Sequence, residues 1–339
     1  MTRRSATLLL ALALAALPLA ACGSSSSSGG SSGEGAADLR RFDVVLDWTP
    51  NTNHAGMYLA KAEGWYEDAG LDVRFIEPGE AGSLQALAAG KADVAVSVQE
   101  EVIPARAAGL PVQSVAAIVQ HNTSSLVSLA EDGIDRPKDL EGKTYGGYGG
   151  QLEQALLEKL VSCDGGDPSK VRSVDVGEAD YRIGLERDQY DAVWIFDGWD
   201  GIRLQQEGVD TSTIPFIEHE DCIPDWYTPL LATSEEVETT RADDLTAFMA
   251  ATSRGYQAAM EDPQAAADAL LDQADDLDPE LVEASAEYLS TRYADDPAAW
   301  GQQDAAVWDG FSAFLLEAGL VEKPIDVDAA WTNEFLPKP

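Results

Sequence analysis

The chain has few basic residues, few cysteines and few histidines. It contains 22 Lys and Arg against 60 Asp and Glu, so its formal net charge is −38 at pH 7. This balance argues strongly against nucleic acid as a partner, because nucleic-acid binding needs basic side chains that neutralise phosphates. The three histidines, His54, His121 and His219, lack the spacing of metal ligands. We therefore expect no metal site and no cofactor.

The N-terminus has the pattern of a bacterial lipoprotein. Two arginines precede an apolar stretch that is too short for a usual membrane span, and Leu19-Ala20-Ala21-Cys22 then matches a lipobox. We predict a signal peptide over residues 1–21, lipidation at Cys22, and a lipidated flexible tether over residues 22–40, which is rich in serine and glycine. The predicted location is the extracellular face of the bacterial cytoplasmic membrane, with a lipid anchor.

Two further cysteines, Cys163 and Cys222, lie in the part of the chain that follows the tether. In an oxidising compartment they are candidates for a disulfide bond. Two buried free thiols are the alternative, and the sequence leaves both open.

The remaining 300 or so residues alternate between strand and helix patterns twice, and a series of helices follows. This rhythm predicts an α/β protein with mostly parallel sheets. We expect two α/β lobes joined by two crossover segments, near residues 120–128 and 227–233, with a helical C-terminal tail whose last helix lies near 328–335. Lobe I is predicted to comprise residues 41–125 and 230–339, and lobe II residues 126–229.

Four loops that follow predicted strands carry aromatic, amide and acidic side chains, so they are candidates for one ligand cleft. Aromatic faces suit a flat ring, and carboxylates accept hydrogen bonds from ring amino groups. None of these loops contains Lys or Arg, which an anion receptor usually has. The glycine-rich loop at 146–150 offers backbone N–H groups, so an anionic ligand group stays open. The predicted ligand-binding residues are Trp48, Asn51, His54, Gln99, Glu100, Tyr148, Asp197, Trp199 and Tyr227. The spacing of residues indicates no catalytic constellation.

Several segments resemble the solute-binding proteins of ABC importers in the family that binds thiamine-pyrimidine precursors. They are LDWTPNTNHAGMYLAKAEGWYEDAGLDV, GKADVAVSVQEEVIPARAAGLPVQSVAAIVQHNTS, DLEGKTYGGYG, YDAVWIFDGWDGI, WYTPLLATSEE and WTNEFL, within about residues 42–336. The resemblance implies a type II periplasmic-binding-protein fold and a ligand related to aminopyrimidines. It also implies an ABC permease as partner. We expect a monomer that captures a small heteroaromatic solute.

The same family contains a pyrimidine synthase, so the sequence also leaves open a surface enzyme of that kind. The reactive histidine of the synthase falls on Glu101 in this chain, and its cysteine-rich run falls on residues 221–227. Both differences argue against catalysis. Among binding proteins, the sequence leaves open a receptor for riboflavin, for another heteroaromatic solute or for a sulfonate-type solute.

Overall fold

The computed structural model describes residues 39–176 and 181–338. The predicted signal peptide and Cys22 lie outside these residues, as does the tether up to residue 38. Two five-stranded sheets carry the fold. The strands are β1 (Arg40–Val45), β2 (Leu71–Ile76), β3 (Val94–Ser97), β4 (Val112–Ala117), β5 (Ser124–Leu129), β6 (Thr144–Gly147), β7 (Arg172–Asp175), β8 (Ala192–Phe196), β9 (Thr211–Pro215) and β10 (Leu230–Ser234).

Twelve α-helices in the described ranges cover the sheets. They are α1 (Ala55–Ala62), α2 (Trp65–Asp68), α3 (Ser83–Ala88), α4 (Gln99–Ala107), α5 (Gln151–Cys163), α6 (Tyr181–Glu186), α7 (Ile202–Gln206), α8 (Glu235–Thr240), α9 (Ala242–Glu261), α10 (Pro263–Leu271), α11 (Pro279–Ser290) and α12 (Ala305–Glu317). No helix in these ranges is both long and apolar enough to cross a membrane.

Both sheets follow one plan, with strand orders β2-β1-β3-β10-β4 and β7-β6-β8-β5-β9. In each sheet, the first three strands of this order are parallel to one another. The fourth strand, β10 or β5, is antiparallel to both of its neighbours and separates the first three from the last strand. Val44 and Val45 are both buried but belong to different apolar clusters, so both faces of the first sheet are covered. The predicted two-lobed α/β architecture is therefore confirmed. We call the part built on the first sheet lobe I and the part built on the second sheet lobe II.

The chain passes between the sheets twice. The first passage, residues 118–123, is shorter than the predicted 120–128, because β5 already belongs to the second sheet. The second passage, residues 216–229, ends where β10 pairs antiparallel with β3 and β4. The exact lobe boundaries remain a prediction.

The helical tail differs from the expectation at its end. Residues 328–335 were predicted to be a helix, but Trp331 instead forms a parallel bridge with Ser114 on β4. Asn333 bonds the backbone of Gln303 through both of its side-chain polar atoms, at 3.0 and 2.9 Å. These long-range bonds replace the local bonds that a helix would need.

Helix α12 contacts the second passage and lobe II. Phe311 stacks on Trp226 of the second passage with ring centroids 5.0 Å apart. Lys159 on α5 forms an ion pair with Glu317 at 3.1 Å. The tail, which was assigned to lobe I, therefore also packs against lobe II.

Helices α1 and α9 approach each other closely enough to require glycine at their contact. A Cβ atom on Gly255 would lie 2.0 Å from the carbonyl oxygen of Gly56, so a side chain has no room there. The close approach lets the Tyr256 hydroxyl donate to the carbonyl oxygen of Asn53 at 2.6 Å. The helix pair thus holds the loop that follows β1.

Cys163 and Cys222 form a disulfide bond and are not two free thiols, which was the other alternative that the sequence left open. Cys163 is the last residue of α5, and Cys222 lies in the second passage. The bond ties that passage to a helix of lobe II across a sequence separation of 59 residues.

We expect the double variant Cys163→Ser/Cys222→Ser to lose stability. Closing a loop of this length reduces the entropy of the unfolded chain, which corresponds to about 4 kcal/mol. Chemical denaturation of the wild type and the variant measures the difference. Wild-type protein treated with a thiol reductant is the control and should fall to the stability of the variant. Equal stability of all three samples would contradict a stabilising role for the bond.

Candidate functional site

A cavity of about 170 Å³ lies where loops of the two sheets meet. It is lined by Asp47, Trp48, Asn51, Thr52, Asn53, Val98, Thr123, Phe196, Gly198, Trp199, Asp200, Thr228, Pro229 and Leu289. Most of these residues follow the carboxyl ends of β1, β3 and β8, which is where open α/β sheets bind ligands. The others come from the two passages and from α11.

The loop after β1 is held by a network around His54. The Asn51 backbone N–H donates to His54 Nδ1 at 3.1 Å, so the ring hydrogen sits on Nε2 and is donated to Asp47 Oδ1 at 2.8 Å. The Asn51 side chain caps the short turn Thr52–His54 by accepting the Asn53 N–H at 2.9 Å. His54 is completely buried. It orients the loop and does not line the cavity.

Trp48 lies in the same loop, and 53% of its surface is exposed. An indole with this exposure on the cavity wall offers a large apolar face to a flat ligand. Asn51 lines the wall beside it but is 6% exposed, and its Nδ2 donates to the Thr49 carbonyl oxygen at 3.0 Å. Trp48 is therefore the open aromatic surface on the lobe I side.

The opposite wall is built where β8 ends. Asp197–Gly201 forms a single turn of π-helix that leads into α7, and it brings Trp199 and Asp200 to the cavity. Asp197 Oδ2 accepts a hydrogen bond from the Ser125 hydroxyl at 2.8 Å. Burial raises the pKa of both Asp197 and Asp200 to about 6.

Helix α11 joins the two walls. The Ser285 hydroxyl donates to the carbonyl oxygen of Gly198 on lobe II. It accepts a hydrogen bond from the Thr52 hydroxyl on lobe I, with the oxygens 2.5 Å apart. Since Thr52 and Gly198 both line the cavity, this chain of bonds connects its two sides.

The electrostatic character of the cavity is acidic. Asp47 and Asp200 line it, and none of the lining residues is Lys or Arg. The charge of Arg292 partly offsets the rise in the pKa of Asp197, but Arg292 does not line the cavity. Such a site favours hydrogen-bond donors and cationic groups over anions. Within the described ranges, no cluster of His, Cys, Asp and Glu is arranged to hold a metal ion.

The structure brings some of the predicted site residues together. Trp48, Asn51 and Trp199 line the cavity, and Asp197 lies between the lining residues Phe196 and Gly198. These residues come from both lobes, as the loop positions predicted.

Gln99 and Tyr227 were predicted to bind the ligand, and the structure places them against each other and outside the cavity lining. The Tyr227 N–H donates to Gln99 Oε1 at 2.8 Å, and the Gln99 N–H donates to the Tyr227 carbonyl oxygen at 2.9 Å. The Tyr227 hydroxyl accepts the Asp304 N–H at 2.8 Å, and both side chains are buried. They fix the second passage to α4 and do not line the cavity.

Tyr148 and Glu100 also do not belong to the cavity lining. Half of the Tyr148 surface is exposed, and its hydroxyl bonds that of Tyr181. Glu100 lies in the first turn of α4 with Oε2 buried, and the nearby Trp226 side chain partly offsets the effect of burial on its pKa. The predicted role of Tyr148 and Glu100 in ligand binding stays a prediction.

Sequence reasoning missed Thr123, Thr228, Pro229, Leu289 and Asp200 as lining residues. Asp200 lies one residue beyond a predicted loop, so extending the strand-end rule would have found it. The other four lie in the two passages and on α11, and only the topology brings them to the cavity.

Burial raises the pKa of Glu100 to about 8, and the neighbouring charge of Glu101 acts in the same direction. Because the folded-state pKa lies above the ordinary value of 4.5, the folded protein binds more protons between these two values. The contribution of Glu100 to stability is therefore fully present below about pH 4.5 and is lost as the pH rises towards 8.

We expect Glu100→Gln to melt at a higher temperature than the wild type at about pH 8, with the difference shrinking towards about pH 5. The amide keeps the shape of the side chain but cannot ionise, and the gain at high pH should exceed about 1 kcal/mol. Thermal denaturation across this pH range measures it. Glu283→Gln, at an exposed position on α11, is the matched control and should show no such pH-dependent gain. A Glu100→Gln variant that is less stable at every pH would refute this account.

The chain is similar over most of its length to a protein family and to individual relatives in it. A family model described as NMT1/THI5 like matches residues 51–266. A formylaminopyrimidine-binding protein from Halalkalibacterium halodurans is 30% identical over 303 residues, which cover 87% of this chain and 90% of that protein. A 4-amino-5-hydroxymethyl-2-methylpyrimidine phosphate synthase from Legionella pneumophila is 22% identical and covers 88% of this chain and 92% of its own length.

Among solved structures, the alkanesulfonate-binding protein SsuA from Xanthomonas axonopodis pv. citri superimposes with a TM-score of 0.65. It is 18% identical, and the match covers 88% of this chain and 99% of that protein. This similarity establishes the fold, which is that of periplasmic binding proteins. The chain belongs to the NMT1/THI5-like family.

Proposed function

We propose that this protein is the solute-binding component of an ABC importer and that it captures an aminopyrimidine precursor of thiamine. The observation that carries the proposal is the cavity between the two sheets, which combines indole faces with carboxylates and has no Lys or Arg in its lining. The similarity to a formylaminopyrimidine-binding protein over 87% of the chain supports the same class of ligand.

The ligand ring is proposed to lie against Trp48, in the loop after β1, and Trp199, in the turn after β8, which both line the cavity. Indole faces bind flat rings through apolar contact and stacking. Asp47 and Asp200 then accept hydrogen bonds from amino groups on the ring. With these contacts, the site selects a flat ring that carries hydrogen-bond donors.

The proposed mechanism is closure of the two lobes around the solute without chemical change. A ligand shifts the open–closed equilibrium only through its different affinity for the two states. Contacts to both Trp48 and Trp199 exist only when the walls are close, and the Thr52–Ser285–Gly198 chain of bonds stabilises that state. The closed form then delivers the solute to the permease.

A binding role is favoured over a synthase role because Glu101 stands at the position of the synthase's reactive histidine, and because the histidine of the loop after β1, His54, has a structural role. It is buried, and both of its ring nitrogens are engaged in hydrogen bonds within the loop. A general base or nucleophile must reach a substrate atom, and this imidazole does not line the cavity. We therefore propose that the chain does not catalyse pyrimidine synthesis.

The size and charge of the cavity favour one aromatic ring over the other candidate solutes. A volume of about 170 Å³ is below the range of about 300–1,000 Å³ that is typical of pockets for drug-sized ligands, so a flavin would need a wider cleft. A sulfonate would meet Asp47 and Asp200 without a lining cation.

The proposed location is the extracellular face of the cytoplasmic membrane, with an anchor on Cys22 and a monomeric binding domain.

We expect Trp48→Ala to weaken the binding of 4-amino-5-hydroxymethyl-2-methylpyrimidine by about tenfold, because the ring loses one aromatic face. Titration calorimetry with wild type and variant measures the change. Tyr148→Ala is the matched control, since Tyr148 is about as exposed as Trp48 but does not line the cavity, and its affinity should stay unchanged. Equal affinities of wild type and Trp48→Ala would rule out the stacking role.

A further inference from the structure

The loop after β1 contains a histidine and an aspartate that are bonded to each other and differ in exposure. His54 Nε2 donates to Asp47 Oδ1 at 2.8 Å. The His54 side chain is completely buried, whereas 25% of the Asp47 side chain is exposed and Asp47 lines the cavity. The pair therefore connects a buried ring of lobe I to the wall of the ligand site.

The imidazole of His54 is also held at its other nitrogen. Nδ1 accepts the Asn51 backbone N–H at 3.1 Å, so the ring hydrogen is on Nε2. A buried ring that is bonded at both nitrogens keeps one orientation and one tautomer. It therefore directs its N–H at one oxygen of Asp47, and a side chain supported in this way can hold a precise position.

The two oxygens of the Asp47 carboxylate differ in what they can bind. Oδ1 is bonded to His54, and Oδ2 accepts no hydrogen bond from any residue within 39–176 and 181–338. Oδ2 is also not among the buried polar atoms that lack a partner in those ranges, so it is accessible. An ionised carboxylate can only accept hydrogen bonds. The partner that suits Oδ2 is therefore a donor, such as an amino group.

Asp200, the other acidic lining residue, is held differently. Its Oδ2 accepts the backbone N–H of Phe196 at 3.3 Å, so a backbone group near its own turn positions this carboxylate. Asp47 depends on a buried side chain outside the cavity lining. Its wall is also the more negative one towards α4, since burial raises the pKa of Glu101 and the charge of Asp47 adds to the rise.

We propose that His54 is a positioning residue that determines the specificity of the site through Asp47. The inference rests on the proposed function. The imidazole holds Oδ1, and Oδ2 accepts a hydrogen bond from an amino group on the ring of the ligand. The ligand class selected in this way is an aminopyrimidine. A ring of the same shape without the amino group covers the carboxylate but gives it no donor, so it binds more weakly.

The ratio of two affinities tests the proposal. Titration calorimetry measures the binding of 4-amino-5-hydroxymethyl-2-methylpyrimidine and of 5-hydroxymethyl-2-methylpyrimidine, which lacks the amino group. We expect the wild type to prefer the amino compound by at least about tenfold. If the wild type binds neither compound, the proposed function fails. If it binds both equally well, the proposed function stands and the positioning role is wrong.

Two substitutions of His54 separate the bond to Asp47 from the bond to the loop. In His54→Asn the amide oxygen can still accept the Asn51 N–H, but the side chain is too short to reach Asp47, so the preference should fall to about threefold or less. In His54→Gln the longer side chain can still donate to Asp47, so most of the preference should return. Equal losses of affinity for both compounds in His54→Asn, with the ratio unchanged, would show a merely structural role.

The substitution Asp47→Asn tests the same arrangement with His54 intact. Because His54 donates, the amide oxygen must take the place of Oδ1, and the amide NH₂ group then takes the place of Oδ2. A donor then faces the amino group of the ligand, and the preference should disappear or reverse. An amide that His54 did not orient could turn its oxygen to the ligand. A wild-type preference in Asp47→Asn would therefore overturn the proposal.

Tyr293→Phe is the matched control. The buried Tyr293 hydroxyl donates to the carbonyl oxygen of Thr52 at 2.6 Å, so this substitution also removes one hydrogen bond from the loop after β1. Tyr293 neither lines the cavity nor bonds Asp47. Thermal denaturation without ligand should show a lower melting temperature, whereas the affinity ratio should stay at the wild-type value. A ratio as low as that of His54→Asn would contradict a specific role for His54.

Discussion

The arrangement of the cavity depends on the hydrogen bonds that pin the second passage to the first lobe. Gln99 and Tyr227 exchange two hydrogen bonds, of 2.8 and 2.9 Å, at the start of α4. Asp225 accepts the Asn122 N–H at 2.9 Å and pairs with His121 at 2.7 Å, so the two passages are also tied to each other. Because both lobes leave from these passages, these bonds and the Thr52–Ser285–Gly198 bonds together hold the two sides of the cavity in place.

The same region shows how binding competes with stability. Several carboxylates near the cleft are buried, and burial raises the pKa of Asp197 and Asp200 to about 6. Ionised groups in such places destabilise the folded protein, and so do polar atoms left without partners. Under the proposed function, amino groups of the ligand form hydrogen bonds with Asp200, which lines the cavity, and offset part of this cost.

Much of the architecture could be predicted from sequence, because parallel strands buried on both faces read as short apolar runs with helices between them. Strand β5 was missed, since its sequence Ser124-Ser125-Leu126-Val127-Ser128 contains three hydroxyl side chains. Ladder bonds to β8 and β9, far along the chain, stabilise this strand. The prediction of a helix at 328–335 was wrong for the same reason, because this segment makes its bonds with residues distant in sequence.

The candidate site could be predicted less completely than the fold. Loop positions followed from strand ends, and two residues predicted in this way, Trp48 and Trp199, line the cavity. That they bind the ligand stays a prediction. His54, Gln99 and Tyr227 were included because polar and aromatic side chains near a strand end suit a ligand, but the same groups also suit a hydrogen-bonded core. Thr228 had no local signal, because only the topology places the second passage at the cavity.

The most direct test of the central claim is native mass spectrometry of the protein in an equimolar mixture of 4-amino-5-hydroxymethyl-2-methylpyrimidine, formylaminopyrimidine, riboflavin and an alkanesulfonate. The account predicts a complex with one copy of a pyrimidine and no other solute. A complex with the sulfonate or the flavin in place of the pyrimidines would contradict it.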